Sequence, residues 1–352
     1  MHKLALIAGL LVAPGFALAA PMTASDVATL AGPDRQAKLE ACAKDEGKVT
    51  FYSSLIVNQA LRPIASAFHA KYPYIEVGYV RETGGGMMQK LTTEARAGRP
   101  VASIIEATGI DAIARQAGLI IPFKTPATDA YPAEYKGTDW VASRMSYFGP
   151  SYNTNLVKKE DVPKDWTDLA DPKWKGKLVW SSESTGAPLM ITALRKAMGE
   201  EKAMAFFTAL AKNNVASVSV NQRQVVNMVM AGEYAISLDA FLHHPIISAK
   251  AGAPVAALPL APIIATNGSV LFPKNGPQPC SGMLLLDFIL SKEGQEIMRD
   301  AEYFPARPDV APLPILDPVL PKRANIKELF LDPAVIAQEQ QRSLDIYQQL
   351  FR

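Results

Sequence analysis

Between Lys177 and Pro188 the chain reads "KLVWSSESTGAP", and five of the six residues from 181 to 186 are serine, threonine or glycine. A short strand pattern, Lys177 to Trp180, leads in. Helical spacing of Leu189, Met190, Ala193, Leu194 and Ala197 follows at once. A helix start exposes backbone N–H groups without partners, and the aligned peptide dipoles favour negative charge there. Small residues let a ligand approach that backbone, and hydroxyls add donors. Thr185, Gly186 and Ala187 are therefore expected to cradle an anionic group, with Ser182 and Ser184 alongside. Pro188 suits the first helical turn, where its missing N–H costs nothing. Serine and threonine are also the usual helix caps, so plain capping competes with binding. A second source of anion chemistry is Arg223, in "VNQRQVV" just before the next helical pattern. A guanidinium can grip a carboxylate or phosphate through two parallel hydrogen bonds, although a solvated surface role competes here too.

The whole chain bounds what such a site can serve. Its 352 residues are 49% hydrophobic and 20% charged, an ordinary globular composition with length enough for two lobes. A net charge of +2, with Lys and Arg scattered among Asp and Glu, leaves no footprint for nucleic acid or acidic lipid. His2 and Lys3, the apolar run Leu4 to Val12 and Ala17/Ala19 in "PGFALAAP" have the three-part layout of a cleaved secretory signal peptide, residues 1–19. No later stretch reaches the ~20 apolar residues of a spanning helix, and no Cys stands at the cleavage point to carry a lipid anchor. The mature protein is expected to be periplasmic. Its two cysteines, Cys42 and Cys280, fit either one disulfide or two separate buried thiols.

Strand and helix patterns alternate along the mature chain. "KVTFYSSL", "IEVGYV" and "VASIIEAT" read as strands; Leu61 to Phe68, Met87 to Ala97 and Ile110 to Ala117 read as helices. The second half repeats the habit, with a strand at Tyr234 to Leu238, another at "GSVLFP", and a helix that stops and restarts near Ser291 in "SGMLLLDFILSKEGQEIM". This order predicts α/β lobes with helices on the sheet faces. The proline-rich stretch Pro305 to Pro321 reads as irregular, before a last helix.

Several blocks in sequence resemble the solute-binding proteins of ABC importers, in their ferric-iron-binding-like branch. "VTFYSSL" opens the mature domain, "WTDLADPKWKGKLV" is similar to that family's W-x-D-L-x-x-P-x-W-K-G-K segment, and "AGEYAIS", "LLDFILSKEGQEIM" and "YFPARPDV" follow in order. The resemblance implies a two-lobed Venus-flytrap fold, a type II periplasmic binding protein, with each lobe a mixed sheet flanked by helices. Lobe one would be 20–148 plus 264–352 and lobe two 149–263. The chain would cross near Ser146 to Tyr152 and return near Leu260 to Thr266. A small solute would lie between the lobes, and hinge closure would present it to the importer's membrane subunits.

The same resemblance turns Ser53, Ser54 and Thr108, at strand ends, toward the cleft. It places Arg223 and Gln222 on a cleft loop; Gly84 to Gly86, just ahead of a helix, could approach ligand closely or form only a tight turn. Tyr152 and Asn153 would serve the hinge. In the iron binders the strand-to-helix turn matching 181–187 holds an anion that accompanies the metal. Their adjacent tyrosine ligands, however, have no counterpart in "SLDAFLHHPII". His243 and His244, as neighbours in an extended segment, would point opposite ways, which disfavours a metal site; at least one is expected to be a cleft hydrogen-bond donor or a surface residue. Asp239 could bond a hydroxyl or amine of the ligand. The expectation is a monomeric binding protein for an organic anion (a carboxylate, phosphonate or sugar phosphate) with no cofactor, no metal and no catalytic residues. An iron binder with other ligands and a sensory protein that presents its ligand to a receptor share this outline. A hydrolase does not: no G-x-S-x-G elbow occurs, and three mature histidines offer little for a triad.

Overall fold

The alternating apolar residues of "KVTFYS" form β1, Lys48–Ser53, the first of eleven strands in a computed structural model that describes residues 21–183 and 186–352. The expected signal peptide, together with Ser184 and Thr185, lies outside the described residues. The next strands are β2 (Glu76–Arg81), β3 (Ile104–Thr108), β4 (Trp140–Asn153), β5 (Leu178–Ser181) and β6 (Ala216–Val218). Then come β7 (Ile236–Phe241), β8 (Val255–Ala257), β9 (Ile263–Leu271), β10 (Phe304–Pro305) and β11 (Glu328–Phe330).

Their order, β2-β1-β3-β9-β4-β7-β5-β6, is mixed in both halves. β1 runs parallel to β2 and β3, and β5 runs parallel to β6 and β7. The two long strands β9 and β4 join the halves in antiparallel fashion. β4 pairs with β9 from Trp140 to Phe148 and with β7 from Phe148 to Tyr152. One strand thus runs from the first half into the second.

Each half buries its own core. The first gathers Phe51, Phe68, Ile104, Leu285 and Phe288; the second gathers Trp166, Trp174, Trp180, Ile191 and Phe207. A smaller cluster of Met145, Tyr147, Ile263, Phe304 and Leu316 lies at the crossing strands. Full burial of side chains of this size contributes roughly 1.5–3 kcal/mol each. The "WTDLADPKW" block belongs to the second core. Trp166 Nε1 donates to the Pro262 carbonyl (3.3 Å) and Trp174 Nε1 to the Asp168 carbonyl (3.1 Å). The last helix, Pro333–Phe351, also joins that core through Ile346 and Tyr347.

Cys42 and Cys280 form a disulfide between helices Arg35–Glu46 and Pro279–Leu290. This decides between the two readings left open by sequence. Beside it, the Glu46 carboxylate accepts the backbone N–H groups of Cys280 (3.0 Å) and Ser281 (2.7 Å), capping the second helix.

Several elements differ from the sequence reading. The strand expected at Tyr234 to Leu238 runs Ile236–Phe241, because Gly232 ends the preceding helix at φ 81° and the chain needs a few residues to turn. β9 begins five residues before "GSVLFP". The Gly84 to Gly86 run is itself the first turn of a helix, Gly84–Arg96, with Thr83 as its cap. His243 and His244 open the helix His243–Lys250 instead of lying in extended chain.

Candidate functional site

The parallel strands of both halves end toward one open cavity of about 610 Å³, solvent space at its mouth included. From the first half it is lined by Ser54, Arg81, Glu82, Thr83, Thr108 and Tyr303, with Arg144 from β4. From the second it is lined by Glu183, Asn221, Gln222, Arg223, His243 and His244. This is the switch-point position where α/β sheets hold ligands.

Arg144 anchors the floor. It is buried, and its Nη1 donates to the buried carboxylate of Glu106. Its Nη2 donates to Ser54 Oγ and Thr108 Oγ1, both at 3.1 Å, and its guanidinium lies 5.4 Å from the centre of the Tyr303 ring. Ser53 and Ser143 each donate to Glu106 at 2.9 Å, so the carboxylate is solvated by hydroxyls in place of water. Burial pulls the Arg144 guanidinium down to about 10, which still leaves it protonated at neutral pH. The pair passes directly over Gly268 of β9, where a Cβ would strike Arg144 and come within 2.9 Å of Glu106 Oε1. Only glycine leaves room.

Arg223 is half-buried on the opposite wall. It donates to Ser248 Oγ (3.0 Å) and the His244 carbonyl (3.4 Å), both neutral groups, and burial lowers its pKa. Among the described residues, neither Arg223 nor Arg81 has a carboxylate within 4.0 Å. The same cavity is lined by the imidazoles of His243 and His244, both buried, with ring centroids 4.2 Å apart. They are side by side, so the expectation that they diverge is corrected: at the first turn of a helix, neighbours can lean the same way. Both nitrogens of His243 and Nδ1 of His244 have no hydrogen-bond partner. Burial and the nearby Arg144 and Arg223 guanidiniums pull His243 down to about 3 and hold His244 well below its ordinary range, so both are neutral. On the far side, burial raises the Glu183 carboxyl, while Thr83 and Arg81 favour its ionised form.

Of the residues expected from sequence, Ser54, Thr108 and Arg223 line this cavity, as does Gln222. Ser53 does not; its hydroxyl is spent on Glu106 and on the N–H of Leu55. Ser182 gives its N–H to the Val218 carbonyl and is not among the lining residues. Gly186 and Ala187 also lie off the cavity wall, and Ala187 is fully buried. Gly186 is needed for packing: a Cβ there would run into the Ser181 carbonyl and reach 2.8 Å from Asp239 Oδ2. Asp239 is correspondingly buried beneath this turn, accepting the Ser181 N–H at 2.9 Å, and does not face the cavity. Ser184 and Thr185 lie outside the described residues. Gly84 lines the cavity because the helix it begins sits against the end of β3.

Sequence reasoning did not single out Arg81, Glu106, Arg144 or Tyr303. A signal existed for two of them. Glu106 in "SIIEAT" and Arg144 in "ASRMSYF" interrupt apolar strands, and a charge in a buried strand demands a partner. As for metals, the one group of three metal-capable side chains among the described residues is Cys42, Glu46 and Cys280, of which the cysteines are already joined.

Residues 105–332 match the family model described as bacterial extracellular solute-binding protein. A Salmonella paratyphi A protein, provisionally assigned as a 2-aminoethylphosphonate-binding periplasmic protein, is 28% identical over 257 residues, 68% of this chain and 72% of its own. Among solved structures, the periplasmic binding protein AfuA of Actinobacillus pleuropneumoniae with fructose-6-phosphate bound is 23% identical at a TM-score of 0.75, covering 87% of this chain and 99% of its own. Iron-bound HitA of Pseudomonas aeruginosa is 21% identical at a TM-score of 0.72, covering 86% and 99%. These structures share the two-lobed type II periplasmic-binding fold.

Proposed function

Because the chain belongs to the family of bacterial extracellular solute-binding proteins, we propose that it works in the periplasm, capturing a small organic anion between its lobes and delivering it to the membrane subunits of an ABC importer. The observation that carries this reading is the cavity wall: Arg81 and Arg223 face the space with no carboxylate partner among the described residues, and the buried Arg144 stands behind Ser54 and Thr108. A guanidinium in a partly desolvated cleft is an incomplete ion pair, and an entering carboxylate, phosphonate or phosphate completes it. The relative assigned to 2-aminoethylphosphonate and the fructose-6-phosphate complex of AfuA favour a phosphorus oxyanion within that class. Closure would bring the Arg223 wall and the Arg144 floor onto the same ligand, with β4 and β9 as the flexing connections. The division at residues near 148 and 264 is part of this proposal, with the last helix assigned to the second lobe. Transport without chemistry at the site is the role we assign.

Ferric iron is the second reading, carried by the fold shared with HitA. Tyr303 is the one tyrosine lining the cavity among the described residues, and it lies under a guanidinium, a poor setting for a trivalent cation. Thermal-shift screening of the mature protein against 2-aminoethylphosphonate, fructose-6-phosphate, dicarboxylates and ferric citrate tests the reading. A cognate anion at 100 times its Kd stabilises by about 2.7 kcal/mol. Stabilisation by iron alone, with none from any anion, overturns the proposal.

A further inference from the structure

The cavity contains two imidazoles for which the fold supplies no work. His243 and His244 are each at least nine-tenths buried, and three of their four ring nitrogens make no hydrogen bond. A buried polar atom without a partner is costly, and native structures rarely keep one without a function. Both rings line the cavity, and the contacts around His243 are to the rings of Phe241, Tyr303 and Phe304.

The charges around the pair are mostly positive. Arg223, on the helix Gln222–Ala231, and Arg144, on β4, both act on the two histidines, and Arg81 at the end of β2 acts on His244. The Tyr303 ring packs against His243 at a tilt of 50°. The carboxylates in the same cavity are Glu82 and Glu183. The turn Pro314–Val319 also packs on the histidine-bearing helix, but its titratable residue Asp317 is paired with Arg323. At the far end of that helix, Lys250 is paired with Glu302. An anion between Arg223 and Arg144 would meet imidazoles held neutral first by burial and then by positive charge, and it would cancel the second of these.

We propose that His243 and His244 bind the solute through their unpartnered nitrogens, and that a doubly negative oxyanion enters this site together with a proton taken up by the pair. This rests on the anion reading above. The balance is simple: the proton comes from solvent, no covalent bond in the solute changes, and release of the solute returns the proton. The pair also serves as a charge filter. A dianion offers the field needed to hold the proton on imidazole, whereas a neutral solute cancels none of the arginine charge and leaves both rings unprotonated.

Titration calorimetry with 2-aminoethylphosphonate and fructose-6-phosphate, run at pH 6 in buffers of different ionisation enthalpy, counts the protons. Wild type should take up close to one proton more per ligand than the H243Q/H244Q variant, a comparison that cancels the ligand's own titration. Wild-type affinity should also tighten more than the variant's between pH 8 and pH 6, approaching tenfold per pH unit while one extra proton is bound. Equal proton counts in the two proteins overturn this proposal and leave the anion reading standing. Failure of both anions to bind overturns the anion reading, and this proposal with it. Should the variant not fold, imidazole nitrogen NMR of the labelled wild type gives the answer: two neutral rings in both free and bound protein overturn the proposal, and a protonated ring appearing on binding supports it.

Discussion

Glu106 and Arg144 meet across a strand that belongs to neither of them, their side chains bridging over the bare Cα of Gly268. The sheet order puts β9 between β3 and β4, so the ion pair clamps three strands at the point where the two lobes join. It also sets the cavity floor, since the free face of Arg144 orients Ser54 and Thr108.

Gly268→Ala should therefore act on stability and site together. The added methyl has no vacant direction, and overpacking of this kind costs about 1–3 kcal/mol. Denaturant unfolding should show that loss, and affinity for the anion should fall with it as Arg144 is displaced. An alanine variant with wild-type stability and affinity would mean that the ion pair is not seated as described.

The pair itself is open to a double-mutant cycle. Glu106→Gln leaves a buried guanidinium without its counter-charge, at a cost of about 3–5 kcal/mol. Adding Arg144→Met should recover much of that loss, because a well-packed apolar pair can replace a buried ionic one. A double-variant loss equal to the sum of the Glu106→Gln and Arg144→Met losses would show that the two residues are not coupled.

Arg223→Ala separates binding from folding. Its hydrogen bonds go only to Ser248 Oγ and a backbone carbonyl, so unfolding free energy should change by less than about 1 kcal/mol. Affinity for the anion should fall about 10- to 100-fold, and Arg223→Lys should recover only part of it because a two-pronged grip is lost. Calorimetry on the three proteins decides.

The disulfide predicts a redox effect on the first lobe. It joins positions 238 residues apart, so it removes much freedom from the unfolded chain. Cys42→Ser/Cys280→Ser should lose about 2–5 kcal/mol in denaturant unfolding, and reduction of the wild type should match it.

What sequence could deliver here divides by range. Local signals agree with the structure: Ser291 stops one helix and caps the next, and Lys48–Ser53 is a strand as its alternation predicts. The blocks of family resemblance carried the fold class, and with it the cleft positions of Ser54, Thr108 and Arg223. The site failed where the structure depends on distant neighbours. Nothing near Glu106 in sequence names Arg144, 38 positions on, or the glycine that lets them touch. The hydroxyls of the serine-rich turn predict ligand contact, but Ser182, Gly186 and Ala187 lie off the cavity, and the last two answer to packing against Asp239 and the core. His243 and His244 were misplaced because "AFLHHPII" extends β7 on paper, whereas the strand stops at Phe241 and a helix begins.

Asp239 gives the fold a measurable pH dependence. The carboxyl is buried, one oxygen accepts the Ser181 N–H and the other has no partner, so burial pushes it up to about 7. The ordinary value for an aspartate is 3.8. Below about pH 3 the group is protonated in both folded and unfolded chains and costs nothing. As pH rises toward 7 the unfolded chain ionises first, the folded state binds more protons, and stability falls. Asp111, also buried and raised to about 7 with one oxygen bonded by Ser269, adds a drop of the same sign. Asp239→Asn keeps an oxygen for the Ser181 N–H without a charge to bury, so at pH 8 it should be more stable than wild type by about 2–4 kcal/mol. At pH 4 the two should be nearly equal. Chemical unfolding of both proteins from pH 4 to pH 8 tests this, and a constant difference across that range would rule out Asp239 as the titrating group.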